Sequence, residues 1–161
     1  MATQSASFSS YQKYDVFLSF SAVDTGKSFT DHLYTALIQK GISTFKDDQK
    51  LERGKYISLK PLRVIEDSKY AIIVISKNYA HSVWCLTELA KIVKCEKETN
   101  LVVLPVFYHV DPSDVRNLRG TLAEAFAKDE EDLRDDNKVV QMWKDALKTV
   151  SSMAGWDLYY R

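Results

Sequence analysis

The sequence predicts one α/β domain built on a doubly wound parallel sheet with helices on both faces, and three observations carry that reading. From Tyr14 onward short apolar runs alternate with segments of helical period, the signature of βαβ units. Three of the first four runs, "YDVFLSF", "YAIIVIS" and "LVVLPVFY", are nearly continuous in apolar residues, as strands are when helices cover both of their faces. A chain of 161 residues is long enough for one sizeable core and short for two domains.

Taken in order, residues 1–13 are Ser-rich and read as a flexible tail, with the domain over 14–161. The first strand spans 14–20. A helix over about 25–40 follows, with Phe29, Leu33, Ala36 and Leu37 on one face and Ser28, His32, Thr35 and Gln39 on a polar one; Gly41 ends it. A second strand covers 42–45. The next helix starts from Ser58 as cap, with Pro61 in its first turn, where a missing N–H costs little. Strand three covers 70–76, and a helix beginning near Ser82 carries Leu86, Leu89, Ala90 and Val93 as its core stripe. Strand four, 101–108, contains Pro105, which predicts a bulge or an N–H position facing away from a partner strand. The last helix starts from Asp136 or Asn137 and buries Val139, Val140, Trp143, Ala146, Leu147, Val150 and Met153, before a short fifth strand in 155–160.

Composition narrows the partners. The 22 basic and 22 acidic residues balance, which argues against nucleic acid or an anionic membrane, since both select a basic excess. The local acidic run "KDEEDLRDD" (128–136) reads as a solvated helix end or loop. Cys85 and Cys95 on one helix would lie about 15 Å apart along its axis, too far for a disulfide, and read as reduced thiols. No third or fourth ligand at zinc spacing accompanies them, so no metal is expected. The longest apolar run has ten residues, against the roughly 20 that a membrane-spanning helix needs. A soluble, cytoplasmic protein is expected, with nuclear residence also compatible.

In a doubly wound sheet ligands bind outside the carboxyl ends of the strands. Those ends carry "SAVDTG", "KDDQKLERGKY", "KNYAHSVW" and "HVDPSDVR". A phospho-acceptor switch would need an aspartate ending strand three, where Ser76 and Lys77 stand instead. A phosphate loop would need a glycine pattern that Gly26-Lys27-Ser28 does not complete. The remaining polar candidate is Glu88. Its i, i+4 spacing from Trp84 puts carboxylate and indole on one side of the helix, off the Leu86/Leu89/Val93 stripe. A carboxylate beside a large aromatic suits stabilisation of a cationic sugar in glycosidic cleavage. The competing reading pairs Glu88 with Lys91 on an exposed face.

The segments "YDVFLSF…DT…FTDHLYTAL", "GISTFKDDQKLERGKYIS", "VISKNYAHSVWCLTEL" and "VLPVFYHVDPSDVR" resemble the plant Toll/interleukin receptor (TIR) domain of disease-resistance proteins, in unbroken order over residues 14–159. The resemblance implies a flavodoxin-like sheet of strand order 2-1-3-4-5. It implies hydrolysis of NAD⁺, as substrate and not as bound cofactor, at the nicotinamide–ribose bond, with release of nucleotide signals in innate immunity. Glu88 falls on the catalytic glutamate of the family's W-C-L-x-E-L motif, and Trp84 on a wall of the same pocket. The loop 47–57, with Gly54 and Ile57, matches a mobile loop that completes the NAD⁺ site of a neighbouring protomer. Ser28 and His32 match a self-association surface on the first helix. The partners implied are further copies of the chain, other TIR domains, or the C-terminal domains of a receptor.

Two departures from the family stand out. Its usual pattern after strand one is S-F-R-G-x-D-T-R, whereas this chain reads Ser21, Ala22, Val23, Asp24, Thr25, Gly26. In the family this loop contacts the nucleotide, so two arginines that would grip phosphate are replaced, and a Cβ is added at Ala22. Weakened turnover is expected, and the alternative function is a catalytically feeble signalling or scaffold module. The family's final helix, after the strand containing Gly155-Trp156, is also missing, so apolar surface beside the first helix should stand uncovered.

Overall fold

The apolar runs become the strands of one five-stranded sheet, parallel throughout, in the order β2-β1-β3-β4-β5. A computed structural model describes residues 13–47, 59–132 and 137–158. Along the chain the elements are β1 (Val16–Phe20), α1 (Ala22–Thr25), α2 (Phe29–Gln39), β2 (Thr44–Lys46), α3 (Leu59–Asp67), β3 (Tyr70–Ile75), a 3-10 turn (Tyr79–His81), α4 (Val83–Thr99), β4 (Val102–Tyr108), α5 (Pro112–Arg116), α6 (Thr121–Asp132), α7 (Asn137–Ser151) and β5 (Trp156–Leu158).

Side-chain alternation along β1 sorts the two faces of the sheet. Phe17, with Ala71, Ile73, Ile75, Val103 and Phe107, faces a large core roofed by α3, α4, α6 and α7. Val16, Leu18, Phe20 and Val74 face a smaller core under α2, where Phe29, Leu33, Tyr34 and Leu37 are only partly buried. On the α2 side the sheet continues past that helix into exposed apolar residues: Trp156 is 57% exposed and Val102 46%.

Several local expectations are corrected. The helix placed over 25–40 is two pieces, because Ser21 caps a separate turn, α1, and α2 begins only at Phe29. Ala36 lies on an exposed side of α2 and not in its core stripe. Gly41, at φ 79, does end α2: the N–H of Ile42 donates to Leu37 O at 3.0 Å, closing the left-handed terminus. Helices α5 and α6 were not anticipated. Pro61 sits in the first turn of α3 as expected, while Ser58 and Asp136, the expected caps, lie outside the described residues.

Pro105 causes no bulge, since Ile73 pairs with it in an unbroken β3–β4 register. The N–H of Val102 donates to Lys69 O on the β3 side, and that of His109 to Leu158 O on the β5 side. Alternation therefore puts the proline's missing N–H on the β5 side, where pairing begins only at Val106 with Trp156. Just before β5, a Cβ on Gly155 would press on the carbonyl oxygen of Pro105 and lie 2.8 Å from its Cγ. Because the obstacle is sheet backbone, Gly155→Ala is expected to cost about 1–3 kcal/mol in urea unfolding and to deprotect the His109 N–H against hydrogen exchange. An unchanged midpoint with full protection would refute this.

Candidate active site

The carboxyl ends of β1 and β3 meet over the N-terminal half of α4, and three short segments are tied together there. After β1, the chain turns at Ser21, whose carbonyl accepts from the N–H groups of Asp24 (3.1 Å) and Thr25 (3.0 Å), winding α1. Thr25 and Thr30, both fully buried, share a 2.6 Å hydroxyl contact that fastens α1 to α2. After β3, the 3-10 turn brings Ser82 to the cap of α4, where its hydroxyl accepts from the Cys85 N–H at 3.2 Å. The Thr121 hydroxyl of α6 donates to Lys77 O, tethering the same stretch from above.

Asp24 joins the first two segments. Its Oδ2 accepts from the Ser76 hydroxyl at 2.5 Å and the Asn78 N–H at 2.7 Å, and its Oδ1 accepts from Asn78 Nδ2 at 2.8 Å. A carboxylate with three donors and both oxygens engaged is a structural clamp.

Glu88 is only 1% exposed and Trp84 7%, so both lie inside the domain and not at its rim. The competing pairing with Lys91 does not form: Lys91 turns to Glu66 of α3, at 2.5 Å. Glu88 is instead held from the sheet, where Ser19 Oγ of β1 donates to its Oε1 at 2.9 Å. Ser19 in turn meets the phenol of Tyr79 at 2.6 Å, and Tyr79 also reaches Cys85 O at 3.2 Å. Ser19 and Tyr79 were missed from the sequence. One signal existed, since Ser19 is the single polar residue in the fully buried strand "VFLSF" and a buried hydroxyl requires a partner.

The other candidates divide. Ser21 and Thr25 are buried, Ala22, Asp24 and Gly26 are partly buried, and Val23 is 73% exposed. None of the six carries a positive charge. Ser28 and His32 are both exposed at the start of α2, one turn apart. Gly54 and Ile57 lie outside the described residues. A groove of about 710 Å³ lies between α4 and α7 and is lined by Ala90, Lys94, Lys97 and Met142. At 100° per residue those α4 positions face away from Glu88, so the groove is not part of this site.

This arrangement places one acidic group in a water-poor setting, with an indole one helical turn before it. It suits stabilising a developing cation better than proton transfer to bulk water.

A family model described as "TIR domain" matches residues 13–159. Over 145 residues the chain is 50% identical to Disease resistance protein RPV1 of Vitis rotundifolia, covering 90% of this chain and 10% of that protein. It is 48% identical over 151 residues to TMV resistance protein N of Nicotiana glutinosa, covering 94% of this chain and 13% of that protein. The chain thus spans about a tenth of the length of these relatives. Among solved structures, the TIR domains in the activated Roq1 resistosome directly recognizing the pathogen effector XopQ match with a TM-score of 0.84 and 51% identity, covering 91% of this chain and 88% of that one.

Proposed function

The chain belongs to the TIR domain family, and on that premise we propose that it is the signalling domain of a plant disease-resistance protein and cleaves NAD⁺ at the nicotinamide–ribose bond. The observation that carries the catalytic part is the buried Glu88 carboxylate, fixed from β1 by Ser19 beside the indole of Trp84. As the C1′–N bond breaks, nicotinamide leaves with the bonding pair and the ribosyl carbon becomes cationic. Glu88 lies against that charge and accepts from the ribose hydroxyls, Trp84 walls the pocket, and water adds at C1′ with loss of a proton.

Self-association is part of this reading. Ser28 and His32 are exposed together on α2, and the solved relative is a resistosome assembly. Purified protein incubated with NAD⁺ is expected to release nicotinamide at a rate per protomer that rises with protein concentration, and His32→Ala should flatten that rise. A rate per protomer independent of concentration would count against assembly as a requirement. Further copies of the chain, other TIR domains and the remainder of a receptor are the proposed partners, and the cytoplasm, extending to the nucleus, is the proposed compartment.

One observation favours a second reading, a scaffold module with feeble turnover that acts through TIR–TIR contacts. The segment 21–26 lacks any cation to hold a pyrophosphate. No nicotinamide release at high protein concentration, with self-association retained, would select it.

A further inference from the structure

We propose that Ser19 and Tyr79 are positioning residues that hold Glu88 in its charged form and reactive rotamer through a two-step hydrogen-bond relay from the sheet. The inference deepens the proposed function and rests on Glu88 being the catalytic carboxylate.

The geometry assigns each proton. Ser19 has one hydroxyl hydrogen, and it goes to Glu88 Oε1 at 2.9 Å. The 2.6 Å contact between Ser19 Oγ and Tyr79 Oη then needs its proton from the phenol, so the chain runs Tyr79 O–H to Ser19 O–H to carboxylate. The longer 3.2 Å approach of the same phenol to Cys85 O is its secondary acceptor and ties the 3-10 turn to the first turn of α4. Ser19 and Tyr79 are both 0% exposed, so water does not compete for these bonds. A carboxylate this deep would ordinarily be driven neutral by desolvation, and donors aimed at its charged form oppose that. Linked O–H groups polarise one another, so the second donor strengthens the first. Burial also pushes the Tyr79 phenol well above the usual tyrosine range, which keeps it a neutral donor at every working pH.

Among the described residues, the charged groups on neighbouring elements are engaged elsewhere or face away. On α3, Glu66 is taken by Lys91; on α7, Asp145 lines the groove on the far side of α4. Strand β4 carries no acidic or basic side chain. The Cys85 thiol, on Glu88's own helix, donates to Phe20 O at 3.2 Å.

The sign of the expected effect follows from these bonds. Removing donors raises the pH at which Glu88 ionises, so the acid limb of the pH–rate profile moves to higher pH. Ser19→Ala is expected to lower kcat at neutral pH about ten- to a hundredfold, and Tyr79→Phe about three- to tenfold, with KM for NAD⁺ changed less than about twofold. Ser19→Thr, which keeps the hydroxyl, should recover most of the loss. A fall in activity with an unmoved pH profile, or a change confined to KM, would overturn the relay. A second arm needs no turnover: in substrate-free protein carrying ¹³C-labelled glutamate, the Glu88 carboxyl should titrate at higher pH in both Ser19→Ala and Tyr79→Phe. If wild type releases no nicotinamide but this titration moves, the enzymatic reading fails and the relay stands; if the titration is unmoved, the relay fails whatever the activity. Tyr79→Phe, which keeps the ring, carries both arms should Ser19→Ala not fold.

Discussion

Glu88→Gln is expected to reduce nicotinamide release by at least about a hundredfold while leaving the melting temperature close to that of the wild type. The substitution keeps the size of the side chain, and the amide oxygen can still accept from Ser19, whose hydroxyl lies 2.9 Å from the carboxylate in the native protein. What is removed is the charge that, on the proposed mechanism, faces the ribosyl cation. Glu88→Ala is the harsher partner experiment. It strips Ser19 of its acceptor and opens space in a site where neighbouring Leu86 and Leu89 are fully buried, so it should lose stability as well as turnover. Chromatographic measurement of nicotinamide from both variants at equal concentration decides the matter. Glu88→Gln activity within about threefold of wild type would remove Glu88 from the chemistry.

The second large effect is a gain. Ser21→Arg, Ala22→Gly and Gly26→Arg together should raise kcat/KM for NAD⁺ about tenfold, mainly through KM, because guanidinium groups would again meet phosphate oxygens. The structure says why the three belong together. A Cβ built on Gly26 lies 2.7 Å from the carbonyl oxygen of Ala22, so an arginine there forces the α1 turn open by a few tenths of an ångström. Gly26 itself has ordinary helical dihedrals, so the obstacle is contact and not backbone strain. Ala22→Gly gives the turn the freedom to adjust. Ser21 is 4% exposed, so an arginine at that position must swing outward from the cap and needs the same adjustment. Gly26→Arg alone should therefore destabilise and gain little, and the triple variant should exceed the sum of the singles. Additive or purely harmful effects would show that the missing arginines are not what limits this loop.

The parallel sheet could be read from the sequence because its strands are buried on both faces, and β1 and β3 need continuous apolar residues to be so. The long helices were readable for the complementary reason: α7 has one buried face, with Val140, Trp143, Ala146, Leu147 and Val150 repeating along it. Helix α5 escaped because it has five residues, less than two turns, although its punctuation was present. Asp111 caps it by accepting from the Ser113 N–H at 2.8 Å, and Pro112 opens it. Glu88 shows the limit of stripe reasoning. Periodicity placed it off the Leu86/Leu89/Val93 face and left open the competing reading of an exposed side, but the start of α4 is buried on more than one side, with Trp84, Cys85, Leu86, Glu88 and Leu89 all inside. A helix enclosed in that way hides its polar residues as well as its apolar ones. The partners that make such burial tolerable, Ser19 and Tyr79, stand 69 and nine positions away from Glu88 in the chain, and no local pattern links them.

The three hydrogen bonds to Asp24 have a practical meaning for anyone recombining these domains. Segment 21–26 is one half of a two-part cassette, and 76–78 is the other. Transplanting the first loop from a vigorous relative without its mate would bring in an aspartate whose sockets, Ser76 and Asn78, belong to a different scaffold. Exchanged as a pair, the two loops should travel as one interchangeable part, and the boundary of a successful chimera should follow that junction across the sheet, not the order of residues along the chain.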